Sequence, residues 1–434
     1  MFNSLFKPLL VLVGIVVLSD IQNVAQASIT SSTTKTPSPY IENPLPAITV
    51  RPRKTEIAEP AKLAECQAFA NQFKITDTRD ILKTNSKLAS LSFMKSQKIT
   101  CSGMTQCQQN GKTTSGCSWN RKLRVSCESQ NNKKDVYIRV QTNSLPDHCF
   151  VRDSSSFPIE NYIDFQVKYD VSPTLLSTAS FSNSSKAESA LCNNKWSRSQ
   201  FLKGQVQDLN IKSGVDLNVV GVLFNGVVLF SGYSDKTSYD ALQSSSQSRT
   251  NATQLDSCLG GYDSQGFYRY FSYSPCVKDQ TYKTSLTTPA LCKNTANCNT
   301  NAFSFALDKT TTTNKVLQPL GIAKDGHKIL GPYKNDGSLW QPCEVDVCNG
   351  VTINGSYYYV MTSFYPYTIG CWGPAEKTSY TLTCTTNRRV CTNKRNLNNE
   401  DILYSSALNN QNIFSGLILS FLTLVVTLGY SSTL

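Results

Sequence analysis

Alternation of apolar and polar side chains marks several stretches of the chain as strands. In residues 135–140 (DVYIRV), Val136, Ile138 and Val140 alternate with Tyr137 and Arg139, the period of two that sends each set to its own sheet face. Residues 219–230 (VVGVLFNGVVLF) are two apolar runs around Asn225-Gly226. Both turn residues tolerate positive φ, so this segment predicts a hairpin with a type I′ turn. Residues 267–273 (FYRYFSY) and 356–362 (SYYYVMT) read as aromatic-rich strands. Helical spacing is confined to residues 61–95, where Leu63, Cys66, Phe69 and Phe73 fall close to one helix face. The pattern predicts a mainly β fold: antiparallel strands with long loops stapled by disulfides, after a short helical N-terminal lead-in.

The two ends are apolar. Residues 9–18 (LLVLVGIVVL) follow Lys7 and precede the small-x-small site Ala25-Gln26-Ala27, the layout of a secretory signal. Residues 413–430 carry no charge and no basic residue follows them. Ser405-Ser406-Ala407 and a short polar spacer precede that run, which predicts a glycolipid-anchor signal, with a single-pass helix as the alternative. The expected organisation is a signal peptide at 1–27, a Ser/Thr/Pro-rich linker at 28–60 and a helical, cysteine-containing lead-in at 61–109. A β domain at 110–392, a spacer at 393–412 and the hydrophobic anchor signal at 413–434 complete it.

Composition narrows the chemistry. The 434-residue chain has 16 cysteines, two histidines and a net charge of +12. Two histidines exclude a site built from three or four. No C-x-x-C spacing occurs, so disulfides explain the cysteines better than structural zinc. H-E-x-x-H, G-x-S-x-G and P-loop motifs are absent. The basic residues are spread thinly, which argues against nucleic acid as a partner and leaves acidic cell-surface glycans or proteins. Asn183, Asn251 and Asn354 each begin an N-x-S/T glycosylation signal.

Five blocks, in order, resemble the YHYH-domain family: residues 145–148 (LPDH), 221–227 (GVLFNGV), 255–276 (LDSCLGGYDSQGFYRYFSYSPC), 319–333 (PLGIAKDGHKILGPY) and 346–373 (DVCNGVTINGSYYYVMTSFYPYTIGCWG). The resemblance spans about residues 115–391. It implies that Arg269 and Phe271 stand where the family has its two name-giving histidines. Tyr262 and Tyr358 occupy further positions where histidine is usual, and of the recurring histidines His148 remains. Arginine has no lone pair to give a metal and phenylalanine has no polar atom. The alternating Tyr268, Tyr270, Tyr357 and Tyr359 read as packing residues, and His327 as a structural ring.

The expected function is therefore a secreted, cell-surface-anchored binding or structural module without catalysis and without a cofactor. Its binding candidates are His148, Tyr262, Arg269, Phe271 and Tyr358, an aromatic and cationic surface suited to sugar rings or an acidic group. The alternative is an extracellular metal-handling protein or hydrolase-like enzyme using His148 with Asp147 or Asp325. In that reading a divalent cation could also be held by the Asp-Gly and Asn-Gly loops around Asp256, Asp325 and Asp346.

Overall fold

Leu63, Cys66 and Phe69 share one side of the first helix, α1 (Glu59–Ala70), and Phe73 continues that side just beyond it. This computed structural model describes residues 59–390, except 79–92, 105–106, 110–111, 115, 131–134, 152–158, 170–180, 194–205, 211–218, 235–236, 247–252 and 263–266. The signal peptide, the linker, the second helical stretch of the lead-in, Asn251, the spacer and the anchor signal lie outside the described residues. Helix α1 leads into the β body and packs on it. The Phe69 and Phe73 rings pack on Phe224 at 5.6 and 4.8 Å between centroids, and Cys66 is bonded to Cys127. Helix and β body therefore share one core.

Strands begin at residue 97, before the boundary expected at 110. β1 (Gln97–Cys101) pairs with β4 (Cys117–Arg121), and β2 (Cys107–Gln109) with β3 (Lys112–Thr114). β5 (Leu123–Gln130), β6 (Asp135–Thr142), β7 (Ile163–Lys168) and β8 (Val206–Asn210) form an antiparallel sheet in chain order. The alternation read in β6 holds: Val136, Ile138 and Val140 are fully buried. From the other face, the Arg139 guanidinium donates to both oxygens of Asp164 at 2.9 Å.

A second sheet has eight strands. Its left half contains β9 (Gly221–Leu223), β10 (Val228–Leu229), β13 (Gly260–Tyr262) and β14 (Tyr268–Tyr270). Its right half contains β15 (Pro319–Ala323), β16 (Lys328–Leu330), β17 (Gly350–Ile353) and β18 (Ser356–Val360). β11 (Tyr233–Ser234) and β12 (Tyr239–Asp240) form a separate pair. Short helices α2 (Ser184–Leu191), α3 (Ala241–Ser246), α4 (Gln280–Ser285) and α5 (Ala302–Asp308) fill the connections. The fold is mainly β with antiparallel sheets, as the sequence predicts. The departures are two parallel contacts, β10 with β14 and β16 with β18.

The eight-strand order is β13-β14-β10-β9-β15-β16-β18-β17, so its halves mirror each other about the antiparallel β9/β15 pair, where Val222 faces Ile322. Each half starts with a hairpin around Asn225-Gly226 or Asp325-Gly326. In both, only the glycine has positive φ (86° and 96°), and its N–H returns to Leu223 or Ala323. These are type I turns followed by a left-handed glycine, not the type I′ turn expected at Asn225-Gly226. Each half ends in the same loop, Asp256-Ser257-Cys258-Leu259-Gly260 or Asp346-Val347-Cys348-Asn349-Gly350. One carboxylate oxygen accepts from the cysteine and glycine N–H groups at 2.7–3.0 Å. The other accepts from the Tyr268 or Tyr357 hydroxyl at 2.8 or 2.7 Å. The tyrosine then lies directly over the glycine, and a Cβ at Gly260 or Gly350 would overlap its hydroxyl.

Disulfides staple the frame. Besides Cys66–Cys127 they include Cys101–Cys149, Cys192–Cys384, Cys258–Cys276, Cys292–Cys298 and Cys348–Cys371. Among the described residues no cysteine is free. The Cys192–Cys384 bond closes a separation of 192 residues, and restricting so long a loop in the unfolded chain is worth about 5 kcal/mol.

The mirrored loops carry a prediction. Gly260→Ala and Gly350→Ala should each cost about 1–3 kcal/mol, because the added methyl displaces a buried tyrosine from its carboxylate. Urea unfolding of the two variants checks this; an unchanged midpoint for both would contradict the clamp.

Candidate functional site

His148 sits in a loop pinned on both sides. The Trp119 indole donates to Pro146 O at 2.8 Å, and Cys149 is bonded to Cys101 of β1. His148 Nε2 lies 2.7 Å from the Tyr270 hydroxyl, and Nδ1 lies 2.9 Å from Cys149 O. A carbonyl can only accept, so Nδ1 carries the proton and Nε2 accepts from Tyr270. The same hydroxyl accepts from Asn225 Nδ2 at 3.0 Å. Burial pushes the imidazole down to about 4, against the pull of Asp147. The ring is neutral and both nitrogens are committed.

Next to it, Asp147 lines a cavity of about 750 Å³. Lys283 of α4 donates to Asp147 Oδ2 at 2.7 Å, and Lys74 Nζ lies 3.4 Å from the same oxygen. Lys74 also donates to Val277 O at 2.8 Å. Asp147 Oδ1 is buried and makes no hydrogen bond to a described residue. Burial alone would raise the Asp147 carboxyl, but Lys74, Lys283, His148 and Arg121 take it down to about 2. Lys74 is lowered to about 8, first by burial and then by Lys283, against the pull of Asp147. Arg121, fully buried, donates to Asn225 O and to Gln97. Two ammonium groups thus meet one carboxylate, and Arg121 adds a longer-range attraction. The remaining wall carries hydroxyls and amides, among them Thr76, Gln97 and Gln280, with Ile75, Ile99 and Leu286 between them. Such a cleft attracts an anionic, hydrogen-bonding ligand.

The other candidates do not join it. Arg269 and Phe271 are fully buried, and the Arg269 guanidinium lies 3.9 Å from the Phe230 centroid and 4.9 Å from that of Phe271. Tyr262 is buried against Phe150 and Tyr268. The expected aromatic and cationic surface is core, because β14 is covered on both faces. Tyr358 alone of that set stays half-exposed, in a different groove. Tyr268, Tyr270, Tyr357 and Tyr359 are buried as the packing reading requires.

The arrangement does not favour a metal. Asp325 is buried in the opposite half of the sheet, bonded to Tyr359 and His327, and does not meet His148. Asp256 and Asp346 are each surrounded by donors of their own loop. His148, Cys258 and Cys276 do bring three potential ligand atoms together, but the two sulfurs are bonded to each other and the histidine lone pair points at Tyr270. Asn183 and Asn354 are exposed. Asn183 also caps α2, its Oδ1 accepting from Lys186 N, which leaves Nδ2 available.

Lys74 and Lys283 were not legible as site residues, since no motif surrounds either of them. The mirrored halves could have been found from the repeated D-x-C-x-G, Y-x-Y and G-x-x-x-[ND]-G strings. Compared with protein families, curated proteins and solved structures, the chain finds no match.

The histidine gives a pH prediction. Its folded pKa is depressed, so its stabilising contribution is complete above about 6.5 and is lost as pH falls to about 4, a change of about 3 kcal/mol. Asp256 and Asp240, raised by burial to about 7 and 6, act oppositely, destabilising the fold as pH rises above 3.8. Subtracting the stability curve of His148→Gln from that of the wild type isolates the histidine. The difference should shrink from pH 6.5 to 4; a flat difference would mean that the ring is not held neutral.

Proposed function

We propose that this chain is a secreted, surface-anchored member of the YHYH-like group that binds an acidic saccharide of the cell surface in the Lys74–Asp147–Lys283 cleft and does no covalent chemistry on it. The carrying observation is one buried carboxylate oxygen shared by two ammonium groups at the edge of an open cavity. A ligand carboxylate or sulfate would take over Lys74, whose side chain is one-third exposed, and would raise its lowered pKa. The hydroxyl and amide wall suits sugar hydroxyls. Disulfide bonding is in keeping with an extracellular or secreted chain. Among the described residues no helix is long and apolar enough to cross a membrane; the proposed anchor is the apolar stretch at 413–430. The five blocks of the resemblance support the grouping by converging: four build the eight-strand sheet, and the fifth supplies His148 to its Tyr270. The enzyme alternative loses support because both ring nitrogens of His148 are engaged, by Cys149 O and the Tyr270 hydroxyl.

Binding is tested with an array of uronate-containing, sialylated and sulfated saccharides beside their neutral counterparts, at low and high salt. The acidic members should bind and weaken with salt. Lys74→Met should reduce affinity about 10- to 100-fold, the worth of one charge-assisted hydrogen bond, while Lys74→Arg retains most of it. Wild type ignoring every acidic saccharide, or Lys74→Met binding as well as wild type, would end the proposal. Anchoring is scored separately: phosphatidylinositol-specific phospholipase should release the protein from intact cells, and retention would point to the single-pass alternative.

A further inference from the structure

We infer that Asn354 carries an N-linked glycan whose first sugars fold back into the groove beside it, making the chain's own glycan part of the folded surface. This rests on the secretory routing in the reading above, not on the cleft. Asn354-Gly355 is the turn joining β17 to β18. Its φ values of 50° and 81° make it a type I′ turn, and Ile353 pairs directly with Ser356. The glycosylation signal Asn354-Gly355-Ser356 is therefore held at a tight, exposed hairpin tip rather than on a long loop.

Asn354 is itself a wall of a cavity of about 370 Å³, within the ~300–1,000 Å³ range of small-ligand sites. Phe69 and Tyr169 form its buried floor. Lys328 lies across them, 5.6 and 5.1 Å from the ring centroids, and donates to Glu65 at 2.7 Å. Tyr358 and Ile353 are half-buried walls, while Glu65 and Gln72 are exposed. A purely apolar occupant would desolvate Glu65 and Lys328 without replacing their hydrogen bonds. A purely polar one would leave Tyr358 and Ile353 wet. A pyranose offers both: its C–H face lies on the Tyr358 ring, and its hydroxyl and acetamide groups bond to Glu65, Gln72 and Lys328. Attachment at the rim raises the effective concentration of that sugar far above that of a free one.

The attachment balances simply. Asn354 Nδ2 loses a proton and bonds to the anomeric carbon of an oligosaccharide carried on a lipid diphosphate, and the lipid diphosphate leaves. Asn183 is also an exposed signal but does not line this groove, so it serves as the internal control.

The test uses the full chain made in a eukaryotic secretory host. Surface staining of intact cells scores routing, and glycopeptide mass scores each asparagine. On native protein, peptide-N-glycosidase should remove the Asn354 glycan at least about tenfold more slowly than the Asn183 glycan, and at the same rate after denaturation. Tyr358→Ala should bring the native Asn354 rate up to the control. Ser356→Ala, which abolishes attachment while keeping Asn354, should lower the melting temperature in wild type but not in the Tyr358→Ala background. A surface protein with bare Asn354, or a glycan there removed as fast as at Asn183, overturns the inference. Absence from the surface overturns the routing and the inference together. Failure to bind acidic saccharides removes only the cleft reading.

Discussion

A buried aspartate that accepts the hydroxyl of a buried tyrosine recurs at four places among the described residues: Asp240 with Tyr367, Asp256 with Tyr268, Asp325 with Tyr359, and Asp346 with Tyr357. Neither group tolerates the interior alone. A buried carboxylate needs donors, and a buried phenol needs an acceptor. Three of these aspartates also take two backbone N–H groups just downstream, Asp240 from Leu242 and Gln243 in the first turn of α3, Asp256 from Cys258 and Gly260, and Asp346 from Cys348 and Gly350. Each thereby fixes a turn and a strand at once. This constraint lets very short strands, some of two or three residues, hold register where ladder hydrogen bonds alone would be few.

The clamp also explains how the two halves of the larger sheet could diverge without losing the frame. Asp256/Tyr268 and Asp346/Tyr357 are kept, but the hairpin residue beneath the second tyrosine differs. Asp325 bonds to Tyr359 and to His327, closing the right half on itself. Asn225 stands in the left half and donates to Tyr270, which leaves the Tyr270 proton for an outside acceptor. His148 is that acceptor. The amide at 225, where the right half has a carboxylate, thus leaves Tyr270 to bond the histidine of the loop that also carries Asp147.

Period-two alternation in the sequence identifies β6, β14 and β18, and the spacing of Cys66, Phe69 and Phe73 identifies the buried side of α1. These signals are local and the structure keeps them. Alternation states which side chains share a face, not whether that face meets water. Arg269 and Phe271 were placed on a surface for that reason, whereas Phe230 packs over the guanidinium. The turn at Asn225-Gly226 was legible as a hairpin but not in type, because Asn tolerates either sign of φ. Asp147 and His148 could be singled out as a pair. Lys74, which follows α1, and Lys283, on α4, come to Asp147 only through tertiary packing that no local pattern encodes.

The proposed binding role gives the cleft a reason that stability does not. Lys283 and Asp147 are nearly inaccessible, with side-chain exposures of 7% and 4%. A pair this deep loses much of its Coulombic gain to desolvation, and an apolar replacement of similar shape is often as stable or more so. The second ammonium makes the point sharper. Lys74, its pKa lowered by burial and then by Lys283, shares an oxygen already engaged while Asp147 Oδ1 makes no bond to a described residue. Each ammonium has a close acceptor, Val277 O for Lys74 and Asp147 for Lys283, but two positive charges face one negative one. The arrangement leaves positive charge unneutralised at the mouth of a cavity, where an incoming anion would complete it.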